Sequence, residues 1–236
     1  AIALSMMASG CSPKEKSDKA IERENWTRSL NDSVAAYKHS LDTTQLRIEE
    51  LNNQIATMLN DFQYVENPRE VEGYYILKGW TSRHPENATW VYARLSKDEG
   101  LEIIASLKGG VFNSLRAESQ GSSYTTGIVA HDQALNFRHN GYNVVCFYGE
   151  SADSLAHFIA RNELNDVTIS YLNPSTSGTL KLSAEQRKMI AATWQLYKAR
   201  QLEKQIPLLS KRIDACRRMM VRASDRNDST QTSQKE

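Results

Sequence analysis

The chain has 236 residues, 40% of them apolar and 24% charged, with a formal net charge of +1. This composition suits one or two folded domains and excludes a wholly disordered chain. The near-neutral balance excludes a global field that would draw in nucleic acid or anionic lipid. The charge is unevenly spread, however: residues 15–66 carry ten acidic and six basic side chains, and residues 187–226 carry three acidic and eleven basic ones.

The chain opens on eight mostly apolar residues, too short a run to span a bilayer, which takes about 20. Small residues then lead to a cysteine in Ala8-Ser9-Gly10-Cys11, and the charged run Pro13 to Lys19 follows. This segment resembles the end of a bacterial lipoprotein signal peptide, in which a small-residue lipobox precedes a cysteine that becomes lipidated and amino-terminal. It departs from that pattern in carrying Ala8 three residues before the cysteine, where leucine is usual, and in having no basic start. The resemblance implies cleavage of residues 1–10, lipidation of Cys11, a flexible tether over 11–19, and a place in the cell envelope. Ser12 after the cysteine implies the outer membrane rather than the inner. Two or more acyl chains on one cysteine anchor a soluble body firmly, since each buried methylene contributes about 0.8 kcal/mol.

From Leu30 the sequence repeats in steps of four and three through Val34, Tyr37, Leu41, Thr44, Ile48, Leu51, Ile55, Met58 and Phe62. Such a repeat places one narrow apolar seam along a helix about 50 Å long, and a seam of that kind needs a partner. Ile21 and Trp26 extend the stripe less regularly. Ser17 or Asp18 is the natural cap, and Asn67-Pro68 marks the loop after the helix.

Between Val71 and Leu182 the texture changes to short β-branched and aromatic runs bounded by turn residues. Strands are expected near 72–80, 89–95, 102–107, 111–118, 124–130, 142–148, 167–172 and 179–182, with a short helix opening at Ser151. Asp98-Glu99-Gly100 and Lys108-Gly109-Gly110 look like turns between neighbouring strands. The many aromatics form one half of a sheet core or, alternatively, a ligand platform, for which Trp80, Trp90 and Tyr92 are the candidates.

The second seam follows the capping-box pattern Ser183-Ala184-Glu185-Gln186. It runs through Ile190, Trp194 and Tyr197, then Leu202, Ile206, Leu209, Ile213, Cys216 and Met220, with Pro207 predicting a kink near Gln205. After Ala223 the sequence is polar and reads as a disordered tail, 224–236.

Together these features predict an α+β protein. Helices over 20–66 and 183–223 pair as a long antiparallel hairpin, a coiled-coil stalk, and carry an inserted antiparallel-sheet-rich domain over 67–182. Homo-oligomerisation through the seams is the competing arrangement. Candidate chemistry is thin. His131 and Asp132 are adjacent and could serve an enzyme, but His84, His131, His139 and His157 follow no metal-ligand spacing. Gly121 to Gly127 is hydroxyl-rich yet lacks the ending of a phosphate loop. Cys146 and Cys216 read as two unpaired buried thiols, with a bridge between them in an oxidising compartment as the alternative. The chain is therefore expected to be non-enzymatic, without cofactor, metal or nucleic acid. Its partners are the membrane, through Cys11, and an envelope protein or glycan.

Overall fold

A computed structural model describes residues 18–60, 62–66, 73–78, 88–96 and 100–232. The protein is α+β; the described residues form two long helices, one short helix and ten strands in two antiparallel sheets. Helix α1 spans Asp18–Leu59. Strands β1 (Phe62–Val65), β2 (Tyr74–Leu77), β3 (Trp90–Ser96), β4 (Leu101–Lys108), β5 (Ser114–Ser119), β6 (Ser122–Thr125), β7 (Asn136–His139) and β8 (Tyr142–Tyr148) follow. Helix α2 (Gly149–Arg161), strands β9 (Thr168–Asn173) and β10 (Ser175–Lys181), and helix α3 (Ala184–Thr232) come next.

The larger sheet has the order β1-β2-β3-β4-β8-β7, and the smaller one β10-β9-β5-β6. Strands β3 and β4 are buried on both faces, which their nearly continuous apolar runs require. Helix α2 supplies Ala152, Leu155, Ala156 and Ile159 to the core. The start of α3 supplies Met189 and Ile190. The two sheets are joined by the Tyr171 hydroxyl on β9, which donates to the Trp90 carbonyl on β3 at 3.0 Å. The Phe112 ring meets the Tyr171 ring edge-on at 4.8 Å between centroids. Burial pushes the Tyr171 phenol well above its ordinary range and does the same to Tyr92.

The capping box at the start of α3 is formed as the sequence predicts. The Gln186 backbone N–H donates to Ser183 Oγ at 3.1 Å, and the Ser183 N–H donates to Gln186 Oε1 at 2.9 Å. Arg187, nearly buried, donates to the carbonyls of Leu182 and Glu163, at 2.7 and 2.8 Å. A buried guanidinium satisfied by carbonyls in this way fixes the α3 start against the segment after α2.

The chain divides into two compact units, and the division runs inside both long helices. One unit takes the chain up to Thr43 together with Ile206 onward; the other is Thr44–Gln205. This division differs from the expected boundaries near 66 and 183, and the start of α3 contributes Met189 and Ile190 to the sheet core. The second cut lies beside Pro207, which α3 accommodates without ending. The segment expected as a polar tail is also helical as far as Thr232, since no Gly or Pro follows Pro207 to stop it.

In the first unit the seams are the covered faces. Leu30, Val34, Tyr37 and Leu41 on α1 are half-buried, while Ile21 and Trp26, read as extensions of the stripe, are exposed. On α3, Leu209 and Ile213 are buried and Ile206, Cys216 and Met220 half-buried. The Arg212 guanidinium lies over the Tyr37 ring at 5.8 Å. In the second unit, Thr44 and Ile48 continue the α1 seam and are buried.

Several smaller expectations change as well. Lys108-Gly109-Gly110 does not close a hairpin: it follows β4 of the larger sheet, and the next strand, β5, lies in the smaller one. The hairpin between β7 and β8 turns instead at Asn140-Gly141, where both residues have positive φ, as a two-residue turn of this hand demands. Gln120-Gly121 closes the β5–β6 hairpin in the same way.

Candidate functional site

A groove of about 620 Å³ lies between α2 and the β5–β6 hairpin. The periodicity of α2 explains its wall. Leu155, Ala156 and Ile159 turn into the core, which leaves Ser154, His157, Phe158 and Arg161, spaced three and four apart, on the adjoining face. The opposite wall is Ser122, Ser123 and Tyr124 of β6. Ser122 stands opposite Ser119, and Tyr124 opposite Ala117, in the hairpin register. Gln120 in the turn donates to Asn165 Oδ1 at 2.8 Å, tying the hairpin to the loop after α2.

His157 is held by packing from α3. Its ring stacks on Trp194 at 4.9 Å with an interplanar angle of 6°. The Trp194 indole N–H donates to Asp153 Oδ1 at 2.7 Å, and Lys198 Nζ donates to Asp153 Oδ2 at 3.0 Å. Asp153 thus orients the indole against which the imidazole lies. Asn162, also on the groove, donates from Nδ2 to the Phe158 carbonyl at 2.9 Å, capping the helix end. The lining residues bring hydroxyls, amides, one imidazole, one guanidinium and two aromatic rings, and no carboxylate. Such a surface suits a polar ligand with acceptor groups.

The residues singled out in the sequence lie elsewhere. Trp90 and Tyr92 are core residues, each 8% exposed, with ring centroids 4.7 Å apart. They do not form a ligand platform, because β3 is covered on both faces. Trp80, His84 and Cys11 lie outside the described residues. His131 and Asp132 are exposed. The Asp132 carboxylate accepts from the backbone N–H groups of Ala134 and Leu135, at 2.5 and 3.0 Å, which holds its pKa below the ordinary carboxylate value. It is a turn residue, and its charge stabilises the turn rather than a reacting group. Cys146 and Cys216 are not joined in a disulfide, and both are half-buried rather than fully enclosed.

Among the described residues no group of three or more His, Cys, Asp or Glu side chains could hold a metal ion. Among them, too, no helix is long and apolar enough to cross a membrane. Comparison with protein families, with characterised proteins and with solved structures gives no match. Of the groove residues, Ser122, Ser123 and His157 were visible in the sequence only as a polar turn and a lone histidine. The Ser154-x-x-His157-Phe158-x-x-Arg161 spacing on a short helix was the signal that could have marked one wall.

Proposed function

We propose that this protein is a non-enzymatic, lipid-anchored lipoprotein of the bacterial cell envelope, most naturally of the outer membrane, whose sheet-bearing unit engages a partner through the groove between α2 and β6. The groove is the observation that carries the binding part of this reading: it is concave, polar, and built on a rigid helix and hairpin. The anchor part rests on Ala8-Ser9-Gly10-Cys11 and the charged tether after it. In the same reading the outer parts of α1 and α3 pair as an antiparallel hairpin. The half-buried seams and the Tyr37–Arg212 contact support pairing within one chain over homo-oligomerisation.

The partner class favoured by the lining is a glycan or polar peptide, because hydroxyl and amide side chains both give and accept hydrogen bonds. This moves the ligand-binding reading from the buried aromatics to the groove. Metabolic labelling with a fatty acid tests the anchor. Label is expected on the wild type and absent from Cys11→Ser; equal label on both, or none on the wild type, overturns the lipoprotein reading. Groove engagement is tested by Arg161→Glu, which should abolish partner capture from envelope extracts while leaving the fold intact.

A further inference from the structure

We infer that the outer part of α3 carries a second, independent binding surface: a basic, apolar-studded helix face that fits an anionic phospholipid surface. The inference does not depend on the groove or on the acyl anchor.

The face follows from helix geometry. Ile206, Leu209, Ile213, Cys216 and Met220 form the covered seam. At 100° per residue, the opposite side of the helix gathers Leu208, Lys211, Arg218, Met219 and Arg222, spaced 3, 7, 1 and 3 residues apart. All five are exposed, Leu208 at 52% and Met219 at 45%. Arg212 stands at the edge, turned over Tyr37. Asp214, exposed and one turn from both Lys211 and Arg218, borders this face and is engaged by Arg217 at 3.8 Å. Residues 206–222 carry five basic side chains and this single acid.

The sequence gathers basic residues toward α3 and acidic ones toward α1. The structure turns Lys211, Arg218 and Arg222 away from the seam, so their charge is displayed outward. Two features then select the occupant. A surplus of cations, five against the single acid Asp214 over residues 206–222, calls for a polyanion. Exposed Leu208 and Met219 between those cations call for an interface with an apolar layer beneath its charge, which a phospholipid headgroup region provides and a nucleic acid does not. The long Lys and Arg stems let the charges reach headgroups while the two apolar side chains sink below them.

The test uses the full chain carrying Cys11→Ser, so that acylation plays no part. Co-sedimentation is measured with vesicles of phosphatidylcholine alone and of phosphatidylcholine mixed with phosphatidylglycerol. Binding to the mixed vesicles is expected to be at least about tenfold tighter and to fall with added salt. The triple variant Lys211→Gln, Arg218→Gln, Arg222→Gln should lose about 100-fold, roughly fivefold per charge. Leu208→Ser with Met219→Ser should weaken binding that persists at high salt, and should leave helicity unchanged because both residues are exposed. Equal binding to the two vesicle types, or no loss in the triple variant, overturns the inference. A basic face that binds heparin as tightly as mixed vesicles, with no effect of the Leu208/Met219 pair, also overturns it in favour of a site for soluble acidic polymers.

Discussion

The two units of this protein bury their apolar residues to very different extents. In Thr44–Gln205 whole side chains vanish from solvent: Ile103, Phe112, Leu115, Phe147, Leu155, Ile159 and Tyr171 have no exposed surface. In the helical unit the best-covered residues, Leu209 and Ile213, keep 8% and 5% of theirs, and the rest of the seam is half-buried. A sheet pair closed by helices encloses residues on all sides, whereas a helix in contact along one stripe covers only that stripe. The difference predicts a rigid unit whose core tolerates little and a helical unit whose interactions are each individually weak.

The sharpest test of that contrast is truncation of one residue in each unit. Leu155→Ala leaves a cavity in a fully packed core and should cost about 2–5 kcal/mol. Val34→Ala, on the half-buried seam, should cost about 1 kcal/mol or less, because only part of its surface leaves water. Urea denaturation followed by circular dichroism measures both. Equal losses would mean that the seam is as tightly enclosed as the core, and the distinction between the units would fail.

A second test, smaller at neutral pH, acts at the joint between the two sheets. Tyr171 stays protonated in the folded protein because burial raises its pKa, whereas an unfolded phenol ionises near pH 10. Above pH 10 the unfolded state therefore binds fewer protons, and stability falls as pH rises, by up to about 1.4 kcal/mol per pH unit for such a group. Tyr171→Phe loses the hydrogen bond to the Trp90 carbonyl and should be about 1 kcal/mol less stable at pH 7. Its deficit should shrink or reverse above pH 10, since phenylalanine cannot ionise. A deficit that stays constant through that range would show that Tyr171 titrates normally in the folded state.

What could be seen in the sequence follows the same division. The two seams, the capping box at Ser183 and most of the strands are local patterns of period or composition, and local patterns were legible. The short edge strands were not. Phe62–Val65 follows α1 after only Asn60-Asp61, with no Gly or Pro, and Phe62 keeps the four-residue step from Met58, so it looked like the last position of the helical seam. Asn136–His139 is mostly polar, and its one local signal is the Asn140-Gly141 turn after it. Sheet membership was hidden as well. Strand β4 takes β8, some 40 residues on, as its neighbour while β5 departs to the other sheet, and no local signal specifies pairing at that distance. The groove shared this fate: its walls come from β6 and α2, which only the folded chain brings together. Trp90 was legible as aromatic but not as inward-facing, because a strand buried on both faces loses the alternation that would have shown its direction.

The smallest effect is also the most local one. At the start of α3, Ser183 Oγ accepts from the Gln186 N–H, one of the donors that a helix leaves unpaired in its first turn. Ser183→Ala removes that acceptor and should cost about 1 kcal/mol, while Ser183→Asp should cost less, since it keeps an oxygen at the cap. The reciprocal bond from the Ser183 N–H to Gln186 Oε1 survives both changes, and Gln186 Nε2 still reaches the Val91 carbonyl at 3.3 Å. The loss should therefore stay at the junction of α3 with the sheet core. Amide exchange should speed at 184–187 in the alanine variant and remain unchanged over 206–222, which lies in the other unit. Faster exchange across 206–222 would mean that the helix opens as one piece from its cap to its outer end, and that the division at Gln205–Ile206 does not separate two independently responding parts.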